Sequence, residues 1–205
     1  MTLDLAKIPQ DSKNRPRPTP AIDRNPMLEA ALDYAKRGLA VIALHWIEGD
    51  GCSCKHKEKC GSPGKHPRWH RDDLPDGVHS ATTVETIIRT WWKRWPLANV
   101  GIATGKISGV IVSDIDPRNG GDKSVKKLPG NFPYTVTART SRKGEHYYTE
   151  YPDNGIETPN DQDFAGYPGI DLKSDGGFVV APPSHHISGE DYYLNFAIGS
   201  AIERR

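Results

Sequence analysis

The chain has 205 residues, 36% hydrophobic and 26% charged, with a formal net charge of +1. That is apolar material for one core rather than two large ones, and it lacks the positive balance of a protein that coats nucleic acid, so any DNA contact must be built from local charge. No apolar run is long enough to cross a bilayer and the N-terminus has no signal-peptide core, which predicts a cytoplasmic protein without a membrane partner.

In chain order, residues 1–25 read as a disordered tail, because Pro16, Pro18 and Pro20 interrupt any regular period. One catalytic domain is expected over 26–205. Asn25 is placed to cap a helix that has Pro26 in its first turn. Leu28, Ala31, Leu32 and Ala35 share one face of it, and Gly38 ends it. Residues 39–44 read as a buried strand. Residues 49–70 are rich in Cys, His, Lys, Gly and Pro and nearly devoid of apolar side chains, so this insertion cannot be held by burial. Thr82 or Thr83 is expected to cap a helix over 84–95, which stops before Pro96. Strands are expected at 100–103 and 110–114, joined by a turn at Ser108-Gly109, then at 134–139, 146–150, 169–173 and 177–181. Two helices followed by strands on short turns predict an α+β domain with a mainly antiparallel sheet.

The expected strand at 110–114 ends in Asp114-Ile-Asp116. Strand residues two apart face the same side, so both carboxylates can approach one hard cation such as Mg²⁺ or Mn²⁺. Asp171 sits in a similar apolar context. Three carboxylates from two strands suit two metal ions that align a 3′-hydroxyl with the α-phosphate of a nucleotide. Taken alone, Asp-x-Asp before Pro117 also fits a capped turn. Between the acids, Arg139, Ser141, Arg142, Lys143 and Gly144 form a tight turn, and His146 opens a strand. Those donors suit a triphosphate; they also suit a solvated hairpin.

Cys52, Cys54, Cys60 and His66 offer four ligands for a closed, structural Zn²⁺ site, with His56 and His70 as alternative fourth ligands. The other reading is three reduced thiols. Lys55, Lys57, Lys59, Lys65, Arg68 and Arg71 surround Trp69 in a local basic patch, suited to template, to the triphosphate of an initiating nucleotide, or simply to keeping the loop solvated. Trp91, Trp92 and Trp95 fall on one helix, which puts at least one of them in the core. His185-His186 and Tyr192-Tyr193 superficially suit a rolling-circle nicking enzyme. Adjacent histidines point to opposite faces of an extended chain, however, and the three acids are then left without a task.

Asp114-Ile-Asp116, Ser141-Arg-Lys-Gly144-Glu-His146 and Ile170-Asp171-Leu-Lys173 resemble, in order and context, the three motifs of archaeo-eukaryotic-type primases. The chain is most similar to the bifunctional primase-polymerase domain of plasmid, phage and prophage replication proteins. Asn99 to Gly105, Ser108 to Gly121 and Gly169 to Ser184 extend the likeness, which covers about residues 26–196. The resemblance implies a palm-like (RRM-like), mainly antiparallel sheet with flanking helices and a small zinc-binding loop. It implies a DNA-dependent primase-polymerase that makes and extends primers by two-metal nucleotidyl transfer in plasmid- or phage-type replication. Asp114, Asp116 and Asp171 would hold Mg²⁺ or Mn²⁺, while Arg139, Ser141, Lys143, His146 and Lys173 would hold the triphosphate. The implied partners are single-stranded DNA template, dNTPs or NTPs, and a helicase in the same chain or a separate one. Where the family often has Ser-Gly-Gly, this chain has Arg142-Lys143-Gly144, so Ser141, Arg142 and Lys143 stand as alternatives for the phosphate role. The ending at Arg205 reads as a position inside a longer replication protein. A nicking enzyme and a non-catalytic nucleic-acid-binding module are the alternatives.

Overall fold

The computed structural model describes residues 24–130, 135–152, 154 and 157–195. The expected tail, up to residue 23, and the last positions from 196 to 205 lie outside the described residues, as does Tyr134.

Helix α1 (Pro26–Lys36) starts where its cap allows: Asn25 is extended, and its side-chain oxygen accepts from the Met27 and Leu28 amides at 3.1 Å. Gly38, at φ +82°, ends it. The innermost residues are Met27, Ala31 and Tyr34, with Leu28, Leu32 and Ala35 half-buried on the flanks. The buried stripe is thus rotated from the expected one. Tyr34 accounts for this, since its hydroxyl donates to the Pro182 carbonyl at 2.9 Å and ties the helix to the far end of the sheet.

Strand β1 (Val41–Leu44) is wholly buried. A hairpin of β2 (Ile47–Glu48) and β3 (Gly51–Cys52) opens the cysteine-rich insertion. Helix α2 (Glu85–Arg94) follows, and neither Thr82 nor Thr83 caps it. Thr82 instead exchanges two backbone hydrogen bonds with Val41, which holds it extended, so the helix begins only after Val84. All three tryptophans of this segment are buried. The indole N–H groups of Trp91 and Trp92 donate to the Asp73 and Ala98 carbonyls.

The remaining strands are β4 (Asn99–Ala103), β5 (Val110–Ile115), β6 (Thr137–Arg139), β7 (Glu145–Glu150), β8 (Ile170–Lys173), β9 (Phe178–Ala181) and β10 (Tyr193–Leu194), with a short helix α3 (Gly121–Val125) after β5. They form two antiparallel sheets rather than one: β1-β4-β9 and β10-β6-β7-β5-β8. The mixed α+β, mainly antiparallel architecture agrees with expectation. The turn at Ser108-Gly109 does not make a hairpin, because β4 and β5 lie in different sheets; β8 and β9, consecutive in the chain, are likewise in different sheets. Helices α1 and α2 cover the three-stranded sheet, and a single apolar cluster runs from them through β1, β4 and β9 to Val110, Val112, Val136, Ala138 and Tyr148 of the larger sheet.

The two inter-sheet crossovers are stitched side by side. The Thr104 amide donates to Gly177 O, its hydroxyl to Ser174 O, and the Lys106 amide to Asp175. Gly105 sits at φ +84°, and a Cβ there would lie 2.6 Å from the Asp175 Cα. Gly105→Ala therefore meets both a left-handed backbone and a main-chain clash, and is expected to lower unfolding free energy by about 2–4 kcal/mol, measured by denaturant titration. No helix among the described residues is long and apolar enough to cross a membrane.

Candidate active site and metal-binding loop

Antiparallel register puts Asp114 of β5 directly opposite His146 of β7 on one side and Asp171 of β8 on the other. Directly paired residues share a face, so the three residues form a row across β7, β5 and the edge strand β8 of the larger sheet. Lys173 pairs with Val112 on that same face. The face is therefore apolar at one end of β5, through Val110 and Val112, and acidic at the other, through Asp114 and Asp116. The change falls where the smaller sheet diverges. A cleft of about 480 Å³ opens there, lined by Asp114, Asp116, Arg118, Ser141, His146 and Lys173 among others, and walled opposite by Phe178–Val180 of β9.

Each carboxylate has a cationic or imidazole partner. Arg118 grips Asp116 with two guanidinium bonds of 3.0 and 2.7 Å, and this pairing holds the Asp116 carboxyl below its ordinary range. Lys173 Nζ lies 2.9 Å from Asp171. His146 Nε2 lies 3.5 Å from an Asp114 oxygen. Burial lowers the His146 pKa, with Lys65 and Lys173 acting the same way and Asp114 opposing, so the ring is neutral near pH 7. Its Nδ1 is buried without a hydrogen-bond partner, as is the Tyr148 hydroxyl. Oxygen-only donors on one face, with an orphaned buried imidazole nitrogen beside them, fit hard divalent cations and a polyanionic ligand.

The structure does not draw every expected residue into the cleft. Asp114, Asp116, Ser141, His146 and Lys173 line it. The Asp171 carboxylate turns toward Lys173 and the Asp163 amide, so Lys173 rather than Asp171 reaches the wall. Arg139 is exposed and donates to the Tyr193 hydroxyl; Lys143 is exposed at φ +66°. Of Arg142, only the backbone is described. Arg118, Thr140 and Asn160 line the cleft without having been expected there, and so does Tyr192, which the sequence suggested only for a nicking enzyme. Arg118 was the findable one, two positions after Asp116. Tyr192 comes in through the pairing of β10, which no local pattern announces. His185 and His186 do not converge: the first is exposed and bonded to Asp191, the second is buried beside Tyr192.

The cysteine loop closes on itself. The ligand atoms of Cys52, Cys54, Cys60 and His66 all lie within 4.8 Å of one another, and His66 Nε2 is 3.5 Å from both the Cys52 and the Cys60 sulfur. A tetrahedral Zn²⁺ with ligand bonds of about 2.0–2.3 Å has N···S edges of about 3.5 Å, so the four can hold zinc. Among the described residues this is the one group of three or more such ligands gathered so closely; the three aspartates are not. The alternative fourth ligands lie elsewhere. His56 is exposed, and His70 is engaged by Asp73 and Arg94. Burial pushes the Cys52 thiol up to about 11 and lowers His66. His45, whose ring lies tilted with its centroid 4.4 Å from that of His66, is pulled down to about 4 by burial and by the charges of His66 and Arg68. Arg68 leaves the basic patch, with its guanidinium 5.3 Å over the Trp95 ring.

A family model described as "Bifunctional DNA primase/polymerase, N-terminal" (Prim-Pol) matches residues 31–197. The chain belongs to this family. No curated protein is significantly similar to it. The Prim-Pol match takes in the cysteine loop and every cleft residue named above, so the acid row and the cysteine insertion both lie within one family domain.

Proposed function

We propose that this Prim-Pol domain is a DNA-dependent primase-polymerase whose larger sheet acts as a palm, with Asp114, Asp116 and Asp171 as the ligands of two catalytic cations. The observation that carries this reading is the direct registration of Asp114, which lines the cleft with His146, between His146 and Asp171 on the neighbouring strands. Mg²⁺ or Mn²⁺ at these carboxylates would activate the attacking 3′-hydroxyl and neutralise charge on the departing pyrophosphate. The chain's own groups would do the rest. Ser141 and Lys173 would donate to the triphosphate, and neutral His146 would donate one imidazole N–H to it. Arg118, now on Asp116, would turn to phosphate oxygens once the carboxylate is otherwise engaged. Arg139 and Lys143, outside the cleft wall, are better placed for the template strand than for the triphosphate. Single-stranded DNA as template, dNTPs or NTPs as substrates, structural zinc in the loop, a helicase partner and a plasmid- or phage-type replication setting complete the proposal.

The test is template-dependent primer extension and dinucleotide synthesis with Mg²⁺ or Mn²⁺, comparing the wild type with Asp114→Ala plus Asp116→Ala. Incorporation by the wild type alone is expected. A wild type that incorporates nothing on any template overturns the reading, and metal-dependent nicking trapped as a tyrosine adduct would replace it.

A further inference from the structure

The metal-binding loop and the acid cleft are joined by one residue. Lys65 lines the cleft with Asp114, Asp116, Arg118 and His146, although it belongs to the insertion. Its charge is near enough to act on both Asp116 and His146. The backbone on either side is clamped. Gly64 precedes it at φ +73°, and its carbonyl accepts from the wholly buried Asn99 amide at 3.0 Å. Asn99 also bonds both backbone groups of His185, so it fixes the loop to the body of the domain. His66 follows. Its ring belongs to the Cys52, Cys54, Cys60 cluster and its carbonyl accepts from the His45 amide at 2.9 Å. Two positions on, the Arg68 amide bonds Ala43 O, so the segment runs as an added strand beside β1. A lysine of the insertion is thus delivered to a fixed place in the cleft that the carboxylates line.

We infer that Lys65 is a binding residue for the triphosphate of the nucleotide, and that the metal-binding loop serves the cleft by positioning it. This rests on the polymerase reading. The chemistry is that of an ammonium donating to a polyphosphate. The other lysines of the insertion, Lys55, Lys57 and Lys59, are exposed and lie outside the cleft lining, so the role falls on this one residue rather than on the patch. Phosphates of the template backbone share the chemistry, and the two sources separate kinetically.

The experiment uses the zinc-loaded protein and compares wild type, Lys65→Met, Lys65→Arg and Lys93→Met, the last removing the same charge from the exposed end of α2. Lys65→Met is expected to raise the nucleotide KM about tenfold or more, the loss of one hydrogen bond to a charged group. The primer-template KM, zinc content and melting temperature should stay constant. Lys65→Arg should recover most of the affinity, and Lys93→Met should match the wild type. An unchanged nucleotide KM, or an effect confined to the primer-template KM, overturns the inference. Calorimetric titration with Mg²⁺ and tripolyphosphate reads the same contact without turnover. If the wild type fails to incorporate nucleotides, the polymerase reading falls and this titration alone decides Lys65: binding weakened by Lys65→Met keeps the phosphate contact, and equal binding removes it.

Discussion

Asp114→Asn is expected to reduce nucleotidyl transfer by at least about a thousandfold while leaving the folded protein as stable as before or up to about 1 kcal/mol more stable. The two halves of that expectation come from the same register. Asp114 stands directly across from Asp171, and like charges opposed on neighbouring strands repel. Its other neighbour, His146, is neutral, so no strong ion pair is lost on that side. Asparagine keeps the shape and removes the charge on which cation binding depends. Asp116 differs. Its substitution abandons the half-exposed Arg118 pair, worth about 0–1 kcal/mol, and the cap that its carboxylate gives the Arg118 amide, worth about 1 kcal/mol more. Primer extension and denaturant unfolding on the same preparations check both statements. Retained activity would remove Asp114 from the cation site, and a loss of more than about 2 kcal/mol would assign it a structural task instead.

The second large effect is on the insertion. Removing zinc with a strong chelator, or replacing Cys60 by Ser, is expected to abolish bound metal and lower the melting temperature by about 10 °C, the equivalent of several kcal/mol for a chain of this size. The physical reason is composition. Between Glu48 and Arg68 the insertion buries little besides the ligands Cys52 and Cys54, Gly51 and Gly64. With few apolar contacts, closure depends on the four ligand atoms. Binding also has to displace the Cys52 proton, which burial holds to about 11, so it releases protons. Amide exchange should localise the damage, with protection falling at the Ser53 and Cys60 amides and persisting in β5. Protein purified without chelator that contains no metal, and melts identically with and without chelator, would remove the claim.

Local signals were legible in the sequence where the chemistry is local. The Asn25 cap, the buried run of β1 and the Cys-Cys-Cys-His set all appear as expected, because each depends on neighbours within a few residues. The split into two sheets was not legible. It depends on Thr104, Asp175 and Gly177 meeting across about seventy residues, and the turns at 104–109 and 174–177 look like ordinary hairpins until their partners are known. Arg118, two positions after Asp116, was within local reach, whereas the same limit hid Thr140, Asn160 and the arrival of Tyr192 in the cleft. It also made Lys65 look like one lysine among several, when its place is set by Asn99 far along the chain. The acids were readable as a motif. That Asp171 turns toward Lys173 and away from the cleft wall was not, since side-chain orientation there is decided by the Asp163 amide and the Lys173 ammonium.

The shared face of β5 has a consequence for how errors in folding are filtered. Val110, Val112, Asp114 and Asp116 alternate with Ile111, Ser113 and Ile115. A slip of one residue would bring Ser113 to the row held by Asp114 and would swing Val112 out of the core in the same movement. A misaligned molecule would therefore put Gly109 and Ile111 in the places of Val110 and Val112, leaving a void at one and overfilling the other, and would lose its chemistry as well. The population that survives proteolysis should be uniformly competent, and specific activity per folded molecule should stay constant across preparations that differ widely in yield.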